Sequence, residues 1–414
     1  MEIAVIGGGA SGLLAAIAAA RNGAEVTIYE KLNKVGKKIL ATGNGRCNYT
    51  NMNISIDRYH GKNLKPAENV LNFFDLNKTL NFFEDLGINP YIGDLGKVYP
   101  SSLQASSVLD VLRYEAQRLK VREIIDFEVI ELRKSKDKFS IIGKDKIYEA
   151  DKVILATGGK ASPQLGTDGS GYELAKAFGH KVIEPFPALV QLKLSGKYFK
   201  RITGIRFDGV VKGFAEQKII REDEGEILFT EYGISGPPVL QISRMVIEEL
   251  NKNRRVYVSI DMFPHFSKFD LYDLLSKKFN KIGYKSIEDG LIGFINKKLI
   301  PVILMEAGFS ELNKQCGKLN KKEIYKIIDV LKDWKFEVTG HNTWNQAQST
   351  AGGVDMSEIN TNTLESTKVK GLYLSGEILD VDGDCGGFNL QWAWSSGYTA
   401  GYFSSTLILR KDAL

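Results

Sequence analysis

Glu2-Ile3-Ala4-Val5-Ile6-Gly7-Gly8-Gly9-Ala10-Ser11-Gly12 opens the chain, and its reading decides the fold. A short β-prone run meets a glycine cluster with the spacing Gly7-x-Gly9-x-x-Gly12. Residues 13–22 are alanine-rich and helix-forming, Gly23-Ala24 ends that helix, and residues 25–29 read as a second strand that stops at Glu30. This is a strand–helix–strand unit of about 30 residues. Gly7 permits the tight turn, Gly9 lets backbone N–H groups approach a pyrophosphate, and Gly12 lets the helix pack closely on the strand. Ala10 and Ser11 stand at the helix entry, whose positive end faces the phosphates. Glu30 follows at the distance where a carboxylate takes hydrogen bonds from ribose hydroxyls, with Lys31 beside it. A carboxylate there repels a 2′-phosphate, which disfavours NADP at this site.

Outward from that start, 414 residues suggest two or three structural units. Hydrophobic residues at 43% and charged residues at 25% are the balance of a soluble globular chain. The 41 glycines are clustered rather than periodic, which excludes collagen-like and low-complexity readings. No apolar run nears the ~18 residues of a membrane span. The longest, residues 13–20, follows a glycine turn rather than a basic segment and so is not a signal peptide either. Three cysteines exclude a disulfide scaffold and make a reducing cytoplasm the expected setting. His60, His180 and His265 are scattered, so a metal site has no support.

Residues 31–53 read as a long extended connection. Residues 67–86 and 107–119 read as helices, residues 123–132 and 139–142 as strands flanking a turn, and residues 152–156 as a buried strand running into Thr157-Gly158-Gly159. Short β segments with glycine turns follow, then a helical stretch with Leu271, Leu274, Leu275 and Phe279 in helical spacing. Strand-then-glycine character returns at residues 370–376, and residues 390–403 read as a last helix. The expected class is α/β. A Rossmann-like FAD-binding domain is built from residues 1–190 and 338–414, interrupted by a β-barrel-like subdomain at 191–263 and a small helical subdomain at 264–337. A single NAD domain would complete itself near the N-terminus. Here the strand–glycine elements at Thr157-Gly158 and Gly376-Glu377 lie far apart, which suits a long cofactor held between the two chain ends. Gly386-Gly387-Phe388-Asn389 opens the last helix with a second positive terminus, suited to the pyrimidine edge of a flavin.

Three blocks carry a resemblance across essentially the whole chain. They are Gly43-Asn44-Gly45-Arg46-Cys47-Asn48-Tyr49-Thr50-Asn51, Phe229-Thr230-Glu231-Tyr232-Gly233-Ile234-Ser235-Gly236-Pro237, and Gly376-Glu377-Ile378-Leu379-Asp380 through Gly386-Gly387-Phe388-Asn389-Leu390-Gln391. They resemble the bacterial flavoprotein family that includes a 23S ribosomal RNA dihydrouridine synthase and a 3-dehydro-bile-acid Δ4,6-reductase. Thr350-Ala351-Gly352-Gly353-Val354 and the Gly376-Glu377 block are more distantly similar to the flavoprotein subunits of fumarate reductase and succinate dehydrogenase. The resemblance implies FAD, with Glu30 on the adenosine ribose, Lys37, Lys38 and Gly43 along the cofactor, and Val129 offering backbone to the adenine. It places Glu377 and Asp384 near the ribityl or pyrophosphate region, and gives backbone contacts from Asn389 and Leu390, beyond Gly387, to the ring. For Lys37 and Lys38 a solvated loop is the competing reading. No second complete G-x-G-x-x-G is present, so NADH or NADPH is expected only as a transient donor.

The implied reaction reduces a C=C bond conjugated to a carbonyl, with hydride from the flavin N5, a proton for the α-carbon and donors for the carbonyl oxygen. Candidate acids are Cys385 and Cys47, the second beside Arg46, whose charge would lower a thiol pKa. Both also read as small residues packing against the ring, or as a redox pair. His341 is a candidate donor to a substrate carbonyl, though an unassigned histidine is more often structural, and Arg46 is an alternative binder of phosphate or carbonyl. Residues 193–335 hold 26 Lys and Arg against 19 Asp and Glu, and beyond His265 every basic residue in that stretch is lysine. That surplus reads as a solvated face, or as a grip on 23S rRNA around a flipped uracil. A dehydro-bile acid or other steroid enone is the alternative substrate, in an apolar cavity. An oxidase, an electron-transfer protein or a non-catalytic RNA-binding flavoprotein is the reading from another class.

Overall fold

The structure is a computed structural model that describes residues 1–406. The chain forms two compact units, Met1–Pro187 joined by the segment from Gln348 onward, and Ala188–Ala347. Residues 407–414, assigned above to the cofactor domain, lie outside the described residues.

The first unit is organised by a parallel five-stranded sheet in the order Leu372–Leu374, Lys152–Leu155, Glu2–Ile6, Glu25–Tyr29, Arg122–Ile124. Beyond the charged first residues Glu2, Glu25 and Lys152, its inner strands are almost wholly apolar and are buried at Val5, Ile28 and Ile154, because elements cover both faces. The Ala10–Arg21 helix packs on the last helix, Phe388–Ser405. Gly397 and Gly401 make that contact possible: a Cβ at either would sit 2.3 Å from the Ser11 oxygen or 2.2 Å from the Ala15 oxygen. Backbone therefore meets backbone, and the two ends of the chain share one core.

Two expectations for this unit change. The helix expected across residues 67–86 is two, Lys65–Phe73 and Leu76–Asp85. Asp75 caps the second by accepting from the Lys78 N–H at 2.9 Å, and a side chain that satisfies an orphan helix donor favours a new start over continuation. The connection expected to be extended at residues 31–53 contains a helix, Lys37–Ala41, and a tight turn, Thr42–Gly45. Gly36 begins it with φ 76°, where a side chain would strike Leu109.

Glu115, on the Ala105–Arg118 helix, is 6% exposed and holds Arg21 at 2.7 Å and Arg118 at 2.7 Å, tying the first helix to the fifth. The Arg118 bond holds its carboxyl at about 2 against opposing desolvation, with Arg21 helping. A depressed folded-state pKa contributes stability that is complete above the unfolded value and is lost as pH falls toward the folded one. The expected result is that Glu115→Gln lowers the melting temperature at neutral pH and flattens its decline between about pH 4.5 and 2; parallel curves for variant and parent would refute it.

The second unit contains a closed six-stranded barrel: Leu192–Leu194, Gly233–Ser235, Lys218–Thr230, Arg206–Ala215, Val256–Asp261 and Trp334–His341 in order around the wall. The Pro237–Asn251 helix packs on it, and the helices Lys268–Lys281, Leu299–Glu306 and Lys321–Lys332 belong to the same unit. Two boundaries therefore differ from those expected. Trp334–His341 pairs with Val256–Asp261 on one side and Leu192–Leu194 on the other, closing the barrel, so the return to the first unit comes at 348 rather than 338. The β part and the helical part of the insertion are one compact unit rather than two.

Candidate functional site

A cleft with about 1240 Å³ of empty space, the open solvent at its mouth included, is lined wholly by residues of the first unit. It is walled by residues near both chain ends: Gly7, Gly9, Ala10, Ser11, Glu30, Lys31, Lys37 and Lys38 from the first part, and Glu377, Asn389 and Leu390 from the last. Val129, Thr157 and Gly158 line it as well. Gly12, Gly43, Gly376, Gly387 and Asp384 do not; they lie behind or beside the lining.

The glycine turn is a cradle. A Cβ at Gly12 would lie 1.9 Å from the Gly7 oxygen, so only glycine lets the helix sit this close to the turn. A Cβ at Gly9 would meet nothing within 4 Å, and that residue begins the helix with no side-chain cap. The first-turn N–H groups thus face open space in the cleft, an arrangement suited to a phosphate. Glu30 is 8% exposed and held by two backbone bonds, from Gly8 N to Oε2 at 2.8 Å and from Leu32 N to Oε1 at 2.8 Å. Each carboxylate oxygen keeps a lone pair for a ribose hydroxyl. A dinucleotide of FAD length fits these residues.

Lys38 is not a solvated loop residue. Its ammonium donates to Glu377 Oε2 at 2.8 Å and to the Ala161 oxygen at 3.1 Å. Glu377 Oε1 accepts from Thr350 N at 2.6 Å, and the Thr350 hydroxyl accepts from Lys160 N and Ala161 N at 2.8 and 2.9 Å. Four segments distant in sequence are clasped across the cleft. Lys31 is paired with Asp168 at 2.7 Å.

Asp384 stands differently from its expected place along the cofactor. Its carboxylate is 3% exposed and is turned to His60 Nε2 at 2.8 Å and Arg58 Nη1 at 3.4 Å. It anchors the loop leading to the last helix. The Asn389 side chain anchors the same loop, accepting from Gly383 N at 2.9 Å and donating to the Gly383 oxygen at 2.7 Å. His60 and Arg58 carry no local signal of this role, because the pairing depends on the short antiparallel match of Tyr59–His60 with Asp382–Gly383.

The candidate acids separate. Cys47 is fully buried outside the cleft lining, and burial pushes its thiol up to about 12, only partly offset by a bond from Thr42. The expected lowering by Arg46 does not occur, since that guanidinium lies over the Tyr99 ring at 5.0 Å. Cys47 is a packing residue. Cys385 is half-buried on the anchored loop and forms no disulfide. His341 belongs to the second unit, where its Nδ1 meets the Asn342 oxygen at 2.7 Å, and it takes no part in the cleft. Among the described residues no group of three His, Cys, Asp or Glu side chains is placed to hold a metal, and no helix is long and apolar enough to cross a membrane.

The chain is similar along its length to known proteins. It is 43% identical over 402 residues to a 3-dehydro-bile acid Δ(4,6)-reductase of Clostridium scindens, covering 97% of this chain and 98% of that one. It is 30% identical over 403 residues to a ribosomal RNA dihydrouridine synthase of Haemophilus influenzae, covering 96% of each. Among solved structures, the open conformation of a flavocytochrome c3 fumarate reductase matches 98% of this chain and 78% of its own, with 16% identity and a TM-score of 0.49. The cradle at Gly7–Gly12 is thus the opening of a longer shared pattern: residues 1–403 match the HI0933-like protein Rossmann domain, and the chain belongs to that family.

Proposed function

We propose that the protein is an FAD-dependent oxidoreductase that reduces a C=C bond conjugated to a carbonyl, acting on a small enone of the steroid or bile-acid class. The observation that carries this reading is the 43% identity, over nearly the full length of both chains, to a reductase of that kind. Bound FAD supplies the hydride. The chain's share is to hold it: Glu30 takes the ribose hydroxyls, the open N–H groups of Gly9 to Ser11 face the pyrophosphate, and the uncapped start of the last helix at Gly387 presents a positive terminus to the ring. NADH or NADPH is the reductant in this reading, visiting transiently, and three cysteines in no disulfide fit a cytoplasmic setting.

The second reading, uridine in 23S rRNA, draws on the H. influenzae relative and on the lysines of the second unit. Its electrostatic support is reduced by local pairing. Lys268, Lys277, Lys314, Lys332 and Lys335 are each bound to a carboxylate of the same unit. The deciding experiment pairs two assays. Purified protein reduced anaerobically with NADH or NADPH is mixed with a 3-oxo-Δ4,6 bile acid, and rRNA from cells lacking the gene is digested and scored for dihydrouridine by mass spectrometry. Loss of the enone absorbance with unchanged dihydrouridine is expected. Missing dihydrouridine with an untouched enone moves the substrate to RNA, and a negative in both removes the reductase reading.

A further inference from the structure

Gln391 follows Asn389 and Leu390, which line the cofactor cleft, and precedes Trp392 and Ala393, which line it too. Its own side chain is fully buried outside that lining, and its amide is bound on every side. Oε1 accepts from the Thr50 hydroxyl at 2.6 Å. Nε2 donates to the Thr79 hydroxyl at 2.8 Å, to the Ser395 hydroxyl at 2.9 Å and to the Phe74 oxygen at 3.3 Å. The protons of the two hydroxyls that accept are already engaged, Thr79 donating to the Asp75 oxygen at 2.9 Å and Ser395 to the Phe74 oxygen at 2.6 Å. Turning the amide over would set its oxygen against these acceptors, so one orientation alone satisfies the network.

The network fixes where the last helix starts. Gln391 closes the first turn, its N–H bonded to the Gly387 oxygen at 3.0 Å. Thr50, on the short strand Thr50–Asn51, meets that turn twice. Its hydroxyl holds Gln391, and its backbone oxygen lies 2.5 Å from where a side chain at Gly387 would begin. The other side of the amide holds the break between the helices Lys65–Phe73 and Leu76–Asp85, neither of which lines the cleft. The Phe74 carbonyl, which that break leaves outside a helix, finds its donors in Gln391 and Ser395. An apolar side chain would fill this space with no polar group to satisfy. What the amide adds is direction, because its hydrogen bonds converge on one orientation of the residue that closes the turn.

We propose that Gln391 is a positioning residue that sets the reduction potential of the bound flavin by fixing the start of the last helix, an inference that rests on the FAD reading above and not on the identity of the enone. A nicotinamide donor gives the ring a hydride, two electrons with one proton, and departs oxidised; the reduced ring then carries one negative charge. The helix start has no side-chain cap, and its positive end favours that form over the neutral oxidised one while the first turn is held in place. The experiment is an anaerobic titration of the flavin absorbance of the holoprotein against a reference dye of known potential. Thr50→Val keeps the shape of the side chain and removes the donor to Gln391. Thr50→Ser trims a buried methyl group and keeps the hydroxyl. The valine variant is expected to favour the reduced form about tenfold less than the parent, a fall of about 30 mV for two electrons. The serine variant is expected to melt lower and keep the parent potential. Thr79→Val cuts the opposite side of the amide, from a helix outside the cleft, and its potential is expected to fall as well. A valine variant that holds flavin at the parent potential, or equal shifts in Thr50→Val and Thr50→Ser, overturns the assignment. A parent protein that takes up no FAD removes the cofactor reading, and the assignment with it.

Discussion

Gly9→Ala yields a folded protein that purifies without its yellow cofactor, whereas Gly12→Ala loses the fold itself. The two glycines lie three positions apart in one turn, yet their surroundings differ. At Gly12 a methyl group would sit 1.9 Å from the Gly7 oxygen, a backbone atom that cannot rotate away. The helix would have to leave the turn, dragging the Leu13, Leu14 and Ile17 side chains that fill the core. Overpacking of this kind costs about 3 kcal/mol or more, and here it falls on the element that joins both chain ends. At Gly9 a methyl group meets no protein atom within 4 Å, and the φ of −76° suits any residue, so the apoprotein tolerates it. What it meets is the space through which the first-turn N–H groups reach a phosphate. Losing those charge-assisted bonds weakens cofactor binding on the order of a hundredfold. Melting curves and the visible absorbance of the purified variants separate the two effects. A Gly9→Ala protein with full flavin content would disprove the cradle assignment, and a Gly12→Ala protein as stable as the parent would disprove the packing argument.

That contrast also marks what the sequence can disclose. The glycine spacing, the strand before it and Glu30 after it are local, because a tight turn, a phosphate approach and a ribose acceptor each need a particular residue at a particular short distance. The last helix and the glycines that open it were legible for the same reason. Features made by distant segments were not. Asp384 looked like a cofactor ligand until its partners, His60 and Arg58, came from 324 and 326 positions away. The sixth barrel strand, Trp334–His341, alternates apolar and charged residues next to a lysine-rich helix, so nothing before the fold says that it closes a barrel. Cys47 illustrates the reverse error. Its neighbour Arg46 suggested a reactive thiolate, but adjacency in sequence does not put a charge beside a thiol, and the guanidinium went to an aromatic ring instead. Burial then decided the chemistry of the cysteine.

The same dependence on distant partners makes the Lys38–Glu377 clasp testable, and removing the lysine alone is expected to do more damage than removing both partners. The pair is 2.8 Å apart, with side chains 25% and 20% exposed, on segments 339 positions apart. Lys38→Met leaves the Glu377 carboxylate in the cleft wall without its cation, where it repels a phosphate-bearing cofactor. Complete burial of such an orphan would cost about 3–5 kcal/mol, and partial exposure reduces this to roughly 2 kcal/mol, a loss of cofactor affinity of about thirtyfold. Glu377→Gln is milder, because the amide oxygen still accepts from Thr350 N and the free ammonium attracts phosphate rather than repelling it. The double variant removes the charge that Lys38→Met exposes, so its affinity should recover part of the way toward that of Glu377→Gln. Cofactor dissociation constants for the four proteins, measured by reconstituting the apoproteins, give the coupling directly. If the two losses simply add, the lysine and the carboxylate act independently and the clasp is only a crossing of two side chains. A double variant that binds better than Lys38→Met means that the positive charge is placed to neutralise Glu377, which in turn explains why a carboxylate is tolerated in the wall of a cleft that must hold an anion.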